Sequence, residues 1–202
     1  MTEITPTEGS VLDLVRELGI ARVRDLTARG LHPEHLRRLV NKGYLERLNR
    51  GVYALADREA SEHHSLVQVA VRAPRSIVCL LSALQFHELT TQMPREVWIA
   101  IEHRERTPNI QSPSIRVVRF SGQAFSEGWT EHKIEQVPVR VFGPAKTVTD
   151  CFKFRNTVGM EVAMEALRDC LRDRRATVDE LLYFARVCRV ERVMRPYLEA
   201  MV

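Results

Sequence analysis

Between positions 36 and 50 the chain carries Arg37, Arg38, Lys42, Arg47 and Arg50 against Glu46 alone, with Asn41 among them. These side chains suit recognition of a polyanion rather than bond-breaking chemistry. A guanidinium can bridge O6 and N7 of guanine, and an asparagine amide can pair with N6 and N7 of adenine. Lysine and arginine also neutralise phosphates and set register. The formal net charge of the chain is only +4, so nearly all of the excess lies in this stretch. A local cationic patch on a near-neutral body fits a nucleic-acid partner better than general adhesion does.

Those residues need elements to hold them. Ser10 with Asp13 has the spacing of a capping-box variant, and Val11, Leu14, Val15 and Leu18 follow at helical period, with Gly19 as the stop. A second helix is expected over Arg22–Arg29, ended by Gly30, and a third over Pro33–Lys42, ended by Gly43. The third points Leu36, Leu39 and Val40 inward, which leaves Arg37, Arg38, Asn41 and Lys42 outside. Two short helices across a glycine-bearing turn have helix-turn-helix proportions, and the second helix of such a pair enters a major groove. Two β-prone runs, Tyr44–Leu48 and Val52–Leu55, flank Asn49-Arg50-Gly51 and read as a hairpin. Placed directly after the third helix, that hairpin is a wing with Arg50 at its tip and Arg47 nearby. All six polar residues are expected to converge on one groove-sized surface.

The domain expectation is a winged helix-turn-helix over 1–56, a connector over 57–75 that includes Asp57-Arg58-Glu59 and a helix from Ser61 to Ala70, and a second domain over 76–202. In the last, Ile77–Phe86 reads as a buried helix. Val97–Ile101, Ile115–Phe120 and Val137–Phe142 read as strands. Helices are expected from Thr147 with Pro144 at the entrance, over Gly159–Arg174, Val178–Arg189 and Glu191–Met201. Strands followed by helices make the fold class α+β, an N-terminal winged helix before a mixed α/β domain that ends in helices.

Several classes are excluded. The run Ile77–Leu81 is far too short to span a bilayer, and the first ten residues lack the charge and apolar core of a signal peptide. No membrane is therefore expected, and the localisation expected is cytoplasmic. Cys79, Cys151, Cys170 and Cys188 form no C-x-x-C pair, which points to buried free thiols rather than zinc ligands or disulfides. His63-His64 do not share a helix face and read as surface or packing residues. Neither a metal nor a cofactor is expected, and no catalytic residue is assigned. Glu102-His103-Arg104 lacks the lysine of a metal-dependent nuclease. Ser121-Gly122 reverses the order of a nucleotidyltransferase turn, no Asp-x-Asp pair exists, and no phosphate-binding glycine motif is present. The stretches Arg104–Arg106 and Arg168–Arg175 read as solvated faces with local ion pairs, the alternative being a further surface for DNA backbone or an acidic protein.

The chain also resembles the AbiE-type antitoxins (AbiEi family), the regulator halves of bacterial toxin–antitoxin pairs whose toxin is a nucleotidyltransferase. The likeness is carried by Leu39-Val40-Asn41-Lys42-Gly43-Tyr44-Leu45 and by Leu48-Asn49-Arg50-Gly51-Val52-Tyr53. It continues through Ser82-Ala83-Leu84, His87-Glu88-Leu89-Thr90, Val97-Trp98-Ile99-Ala100 and Val141–Asp150. Lys146 stands where many relatives have arginine. The resemblance implies a winged helix that represses its own operon and a C-terminal domain that supplies antitoxicity. It places DNA contact on Arg37, Arg38, Asn41, Lys42, Arg47 and Arg50. The partners implied are an operator with an inverted repeat, bound by two copies, and a cognate nucleotidyltransferase toxin, engaged directly or indirectly. A nucleic-acid-processing enzyme targeted by its winged helix, or a protein-interaction adaptor, are the alternative readings.

Overall fold

The computed structural model describes residues 4–57 and 61–201. Contacts concentrate in two units, one comprising the residues up to Pro74 with Lys133–Pro138, the other Arg75–His132 with the residues from Val139 onward. Of the charged connector Asp57-Arg58-Glu59, the last two residues lie outside the described residues.

In the first unit, α1 spans Pro6–Leu18 and begins five residues earlier than the Ser10 signal implies. Thr5 is its N-cap: the Thr5 hydroxyl accepts from Glu8 N, Glu8 Oε2 accepts from Thr5 N, and Pro6 occupies the first helical position. A proline there forfeits no hydrogen bond, since the first-turn N–H groups have no helical partner. Ser10 lies inside the helix, its hydroxyl donating back to Pro6 O. Next come β1 (Ala21–Arg22), α2 (Val23–Ala28), α3 (Glu34–Asn41), β2 (Leu45–Asn49) and β3 (Val52–Leu55), with the sheet ordered β1-β3-β2 and antiparallel throughout. This is a winged helix-turn-helix. Its core joins Val11, Leu14 and Val15 of α1 to Leu26 of α2, Leu36 and Leu39 of α3, and Leu45 of β2. Helix α4 (His64–Arg72) begins three residues after the expected Ser61 and ends the continuous part of the unit.

The second unit holds β4 (Ile77–Val78), α5 (Leu80–Phe86), β5 (Val97–Glu102), β6 (Ile115–Phe120), α6 (Gln123–Ser126) and most of β7 (Trp129–Ile134) and β8 (Val137–Phe142), whose facing ends within Lys133–Pro138 belong to the first unit. Five helices follow: α7 (Pro144–Lys153), α8 (Arg155–Val158), α9 (Met160–Arg172), α10 (Val178–Val187) and α11 (Glu191–Glu199). The strand order is β6-β5-β4-β8-β7, with β4 antiparallel to β5 but parallel to β8. The expected helix over Ile77–Phe86 is thus corrected at its start. Ile77 and Val78 pair with Ala100 and Ile99 in the sheet, and the helix begins only at Leu80. Short apolar runs satisfy both patterns, and here the backbone partners on either side decide for strand. Strand β7 and helix α6 had no reading in the sequence; β7 lies at the sheet edge, mostly exposed, without the apolar alternation that marks a half-buried strand.

Helix α7 lies at the centre of the helical layer, packed by α5, α9 and α10. Its buried residues include Lys146 and Asp150, one turn apart and both fully enclosed. Nζ of Lys146 donates to Asp150 Oδ2, and the ammonium also lies 4.1 Å from the Phe142 ring centroid and 4.7 Å from that of Phe120. Cys188 Sγ donates to the other carboxylate oxygen at 3.2 Å. Burial pushes the Asp150 carboxyl up, and the Lys146 charge draws it back down.

Candidate nucleic-acid interface

Helix α3 is held at both ends by backbone geometry that glycine permits. Gly30 at φ 70° ends α2, with Leu31 N donating to Leu26 O and Gly30 N to Thr27 O. Gly43 at φ 78° ends α3 in the same way, through Tyr44 N to Leu39 O and Gly43 N to Val40 O. Both are Schellman closures, which a side chain at the left-handed position would strain. At the α3 entrance the Glu34 N–H donates to His32 Nδ1 at 3.2 Å.

Leu36 and Leu39 are fully buried, which fixes the rotation of α3 and sends Arg37, Arg38 and Asn41 to solvent. Arg37 and Asn41 lie one turn apart, on the same face. Among the described residues none of these three side chains makes a hydrogen bond or ion pair, so their donors are available to an outside acceptor. The wing carries Arg47 and Arg50, both exposed. Arg47 Nε donates to Asn49 O at 3.3 Å, and the Asn49 side chain accepts from Arg50 N at 2.7 Å, bracing the turn from within.

Lys42 is placed differently from the other five. It caps the C-terminus of α3, and its Nζ donates to Glu8 Oε2 at 2.9 Å, with 20% of the lysine side chain and 3% of the carboxylate exposed. Lys42 and Thr5 together hold the Glu8 carboxyl at about 2, well below its ordinary 4.5. The lysine therefore ties α3 to the start of α1.

The other charged stretches contain several ion pairs. Arg75 meets Glu105 at 2.6 Å, and the Arg119 guanidinium donates to the carbonyls of His103 and Glu105, closing the loop after β5. Arg172 pairs with Asp169 and Asp173, and Arg175 with Glu88. Among the described residues no group of three or more His, Cys, Asp or Glu is arranged to hold a metal ion, and no helix is long and apolar enough to cross a membrane. All four cysteines are free and buried, and burial pushes their thiols up, to about 11 at Cys170 and about 12 at Cys188.

Fold and exposed cations together define a winged helix-turn-helix protein of α+β class. Residues 10–56 match the family model described as transcriptional regulator, AbiEi antitoxin. That match covers the helices, the turn and the wing. Across the wider chain, the RV2827C protein from Mycobacterium tuberculosis, known from a crystal structure, is 16% identical with a TM-score of 0.57, over 91% of this chain and 73% of that one. At that identity the likeness concerns the fold alone. No curated protein matches the chain.

Several residues of the motifs quoted for the resemblance have a visible structural task. Ser82 Oγ accepts from Trp98 N at 2.9 Å, His87 Nε2 donates to Phe142 O at 2.7 Å, and Thr147 Oγ1 donates to the same carbonyl at 3.0 Å. With Lys146 and Asp150 they pin α5 and α7 to the sheet of the second unit. Lys146 is a fully buried ammonium, engaged by Asp150 of its own helix.

Proposed function

We propose that the first unit binds duplex DNA in a sequence-specific manner and that the chain represses its own operon while acting as the antitoxin of a toxin–antitoxin pair. The observation that carries this reading is the α3 face. Three polar side chains able to address base edges and phosphates stand exposed and unpaired, on a helix whose rotation the core dictates, immediately before a cationic wing. The family match over residues 10–56 supports the regulator and antitoxin roles.

In this reading α3 lies in the major groove, with Arg37, Arg38 and Asn41 toward base edges, and Arg47 and Arg50 address phosphates or the adjoining minor groove. Lys42 contributes indirectly, by seating α3 on α1. Two copies bind an inverted repeat with half-sites about one helical turn, or a multiple, apart. The protein works without chemistry of its own, and its partner is a nucleotidyltransferase toxin, met directly or indirectly. Cytoplasmic DNA is the site of action.

A salt series on the promoter fragment of its own operon tests the DNA part. Log K should fall linearly with log salt at about −0.9 per neutralised phosphate. Arg37→Ala and Asn41→Ala should each relax the preference at one base position and cost about 1–3 kcal/mol. The absence of any shift, or one indifferent to sequence, would overturn it. Co-expression with the neighbouring reading frame tests the antitoxin part: growth should be restored by the intact chain, and failure to restore it rejects that role.

A further inference from the structure

The second unit contains a cleft of about 500 Å³ lined by Ser121, Gly122, Lys153, Tyr183, Arg186 and Arg189, among others. That volume lies within the range of roughly 300–1,000 Å³ usual for small-ligand sites. Lys153, Arg186 and Arg189 are exposed, and among the described residues none of the three forms an ion pair. Lys153 comes from the end of α7, and Arg186 and Arg189, three residues apart, come from the last turn of α10 and just beyond it, so two backbone segments bring positive charge to one concavity. Lys153 lies 5.8 Å from the Phe120 ring centroid and 5.9 Å from that of Phe154, within reach of cation–π attraction to the aromatic layer behind it. Among the described residues the only carboxylate hydrogen-bonded to these six is Glu127, which accepts the Tyr183 hydroxyl at 2.6 Å; Tyr183 is 44% exposed, with its ring in an edge contact with Phe184 at 5.2 Å.

We propose that this cleft binds a nucleoside phosphate, with Lys153, Arg186 and Arg189 on the phosphate oxygens and the Tyr183 ring against the base. Three unpaired cations around a hollow call for a compact polyanion, since charge-assisted hydrogen bonds to phosphate are the strongest available to them. An aromatic face beside them adds stacking that every base can use. A hollow of this size admits one nucleotide, whereas a duplex presents a convex row of phosphates better met by a ridge. The site is independent of the winged helix, being built wholly from second-unit residues. The nucleotide is either free or the terminal residue of a single-stranded RNA.

Titration calorimetry on the full chain decides it, with a nucleoside triphosphate, a short single-stranded RNA, inorganic phosphate and a DNA duplex as separate titrants. Saturable binding of the triphosphate or the RNA is expected, weakened about tenfold or more by Arg186→Gln and again by Arg189→Gln, and unchanged by Arg37→Ala. Tyr183→Phe, which keeps the ring, should retain affinity, and Tyr183→Ala should lose it. Tighter binding of RNA than of triphosphate assigns the terminal nucleotide as ligand, and the reverse assigns the free one. The proposal is overturned by absence of saturable binding of either up to millimolar concentration, or by affinity indifferent to the arginine variants. It is equally overturned if inorganic phosphate binds as tightly as the nucleotide, or if only duplex binding responds to these variants. Circular dichroism melts of each variant guard against misfolding, which the exposure of both arginines argues against.

Discussion

At the scale of single residues, neighbouring cations of one helix do different work, and their partners tell them apart. Arg38 meets no carboxylate, whereas Lys42, one turn on, meets Glu8 at 2.9 Å. Lys42→Met should therefore lower the thermal unfolding midpoint and leave the salt slope of DNA binding nearly unchanged. Arg38→Ala should do the opposite, reducing the slope by about one phosphate. Glu8 supplies a pH test. Its carboxyl is lowered from 4.5 to about 2 in the fold, so the ionised form is the stabilised one. The resulting stability is complete above the unfolded value and fades as pH falls from about 5 toward 2. Denaturant titrations of the native chain and of Glu8→Gln should differ most at neutral pH and converge in acid. A gap that widens in acid would contradict the assignment.

Among the elements, α7 carries an arrangement that is costly to bury. Its Lys146 and Asp150 are both fully buried, and such pairs rarely exceed an apolar pair in net stability. Removing one partner strands the other, so Lys146→Met should destabilise by about 3–5 kcal/mol, read by urea denaturation. Lys146→Met combined with Asp150→Leu should recover much of that loss. Legibility also varied by element. Helix α3 was readable because its glycine stop and apolar spacing agree with the packing that forms. The start of α1 was misread, since Ser10 with Asp13 imitates a cap while Thr5-Pro6-Thr7-Glu8 forms the one observed. The strand at Ile77–Val78 was hidden by its length, two residues having no period of their own.

The whole molecule joins a winged-helix first unit to a second unit whose sheet and helices bury all four cysteines. Thiolate is the reactive form, and burial has pushed each thiol up, so attack by a disulfide reagent requires opening of the fold. In native buffer the chain should release almost no chromophore from such a reagent, and in denaturant four thiols should react. Rapid native labelling would mean that the second unit opens readily or packs differently. The cleft of Lys153, Arg186 and Arg189 was invisible beforehand for a physical reason. Lys153 lies far along the chain from Arg186 and Arg189, and each alone resembles an ordinary charge on the solvent side of a helix.

What local spacing could determine was the winged helix: stops, an inward apolar stripe and the outward cations between them all act within a few residues. The fold class followed from the same short-range signals. Tertiary structure alone decided that Lys42 turns back to Glu8, that Ile77 and Val78 join the sheet, that Lys146 is enclosed with Asp150, and that Lys153 shares one hollow with Arg186 and Arg189. Each of these depends on which surface arrives opposite, and helical or strand period carries no information about a neighbour remote in sequence.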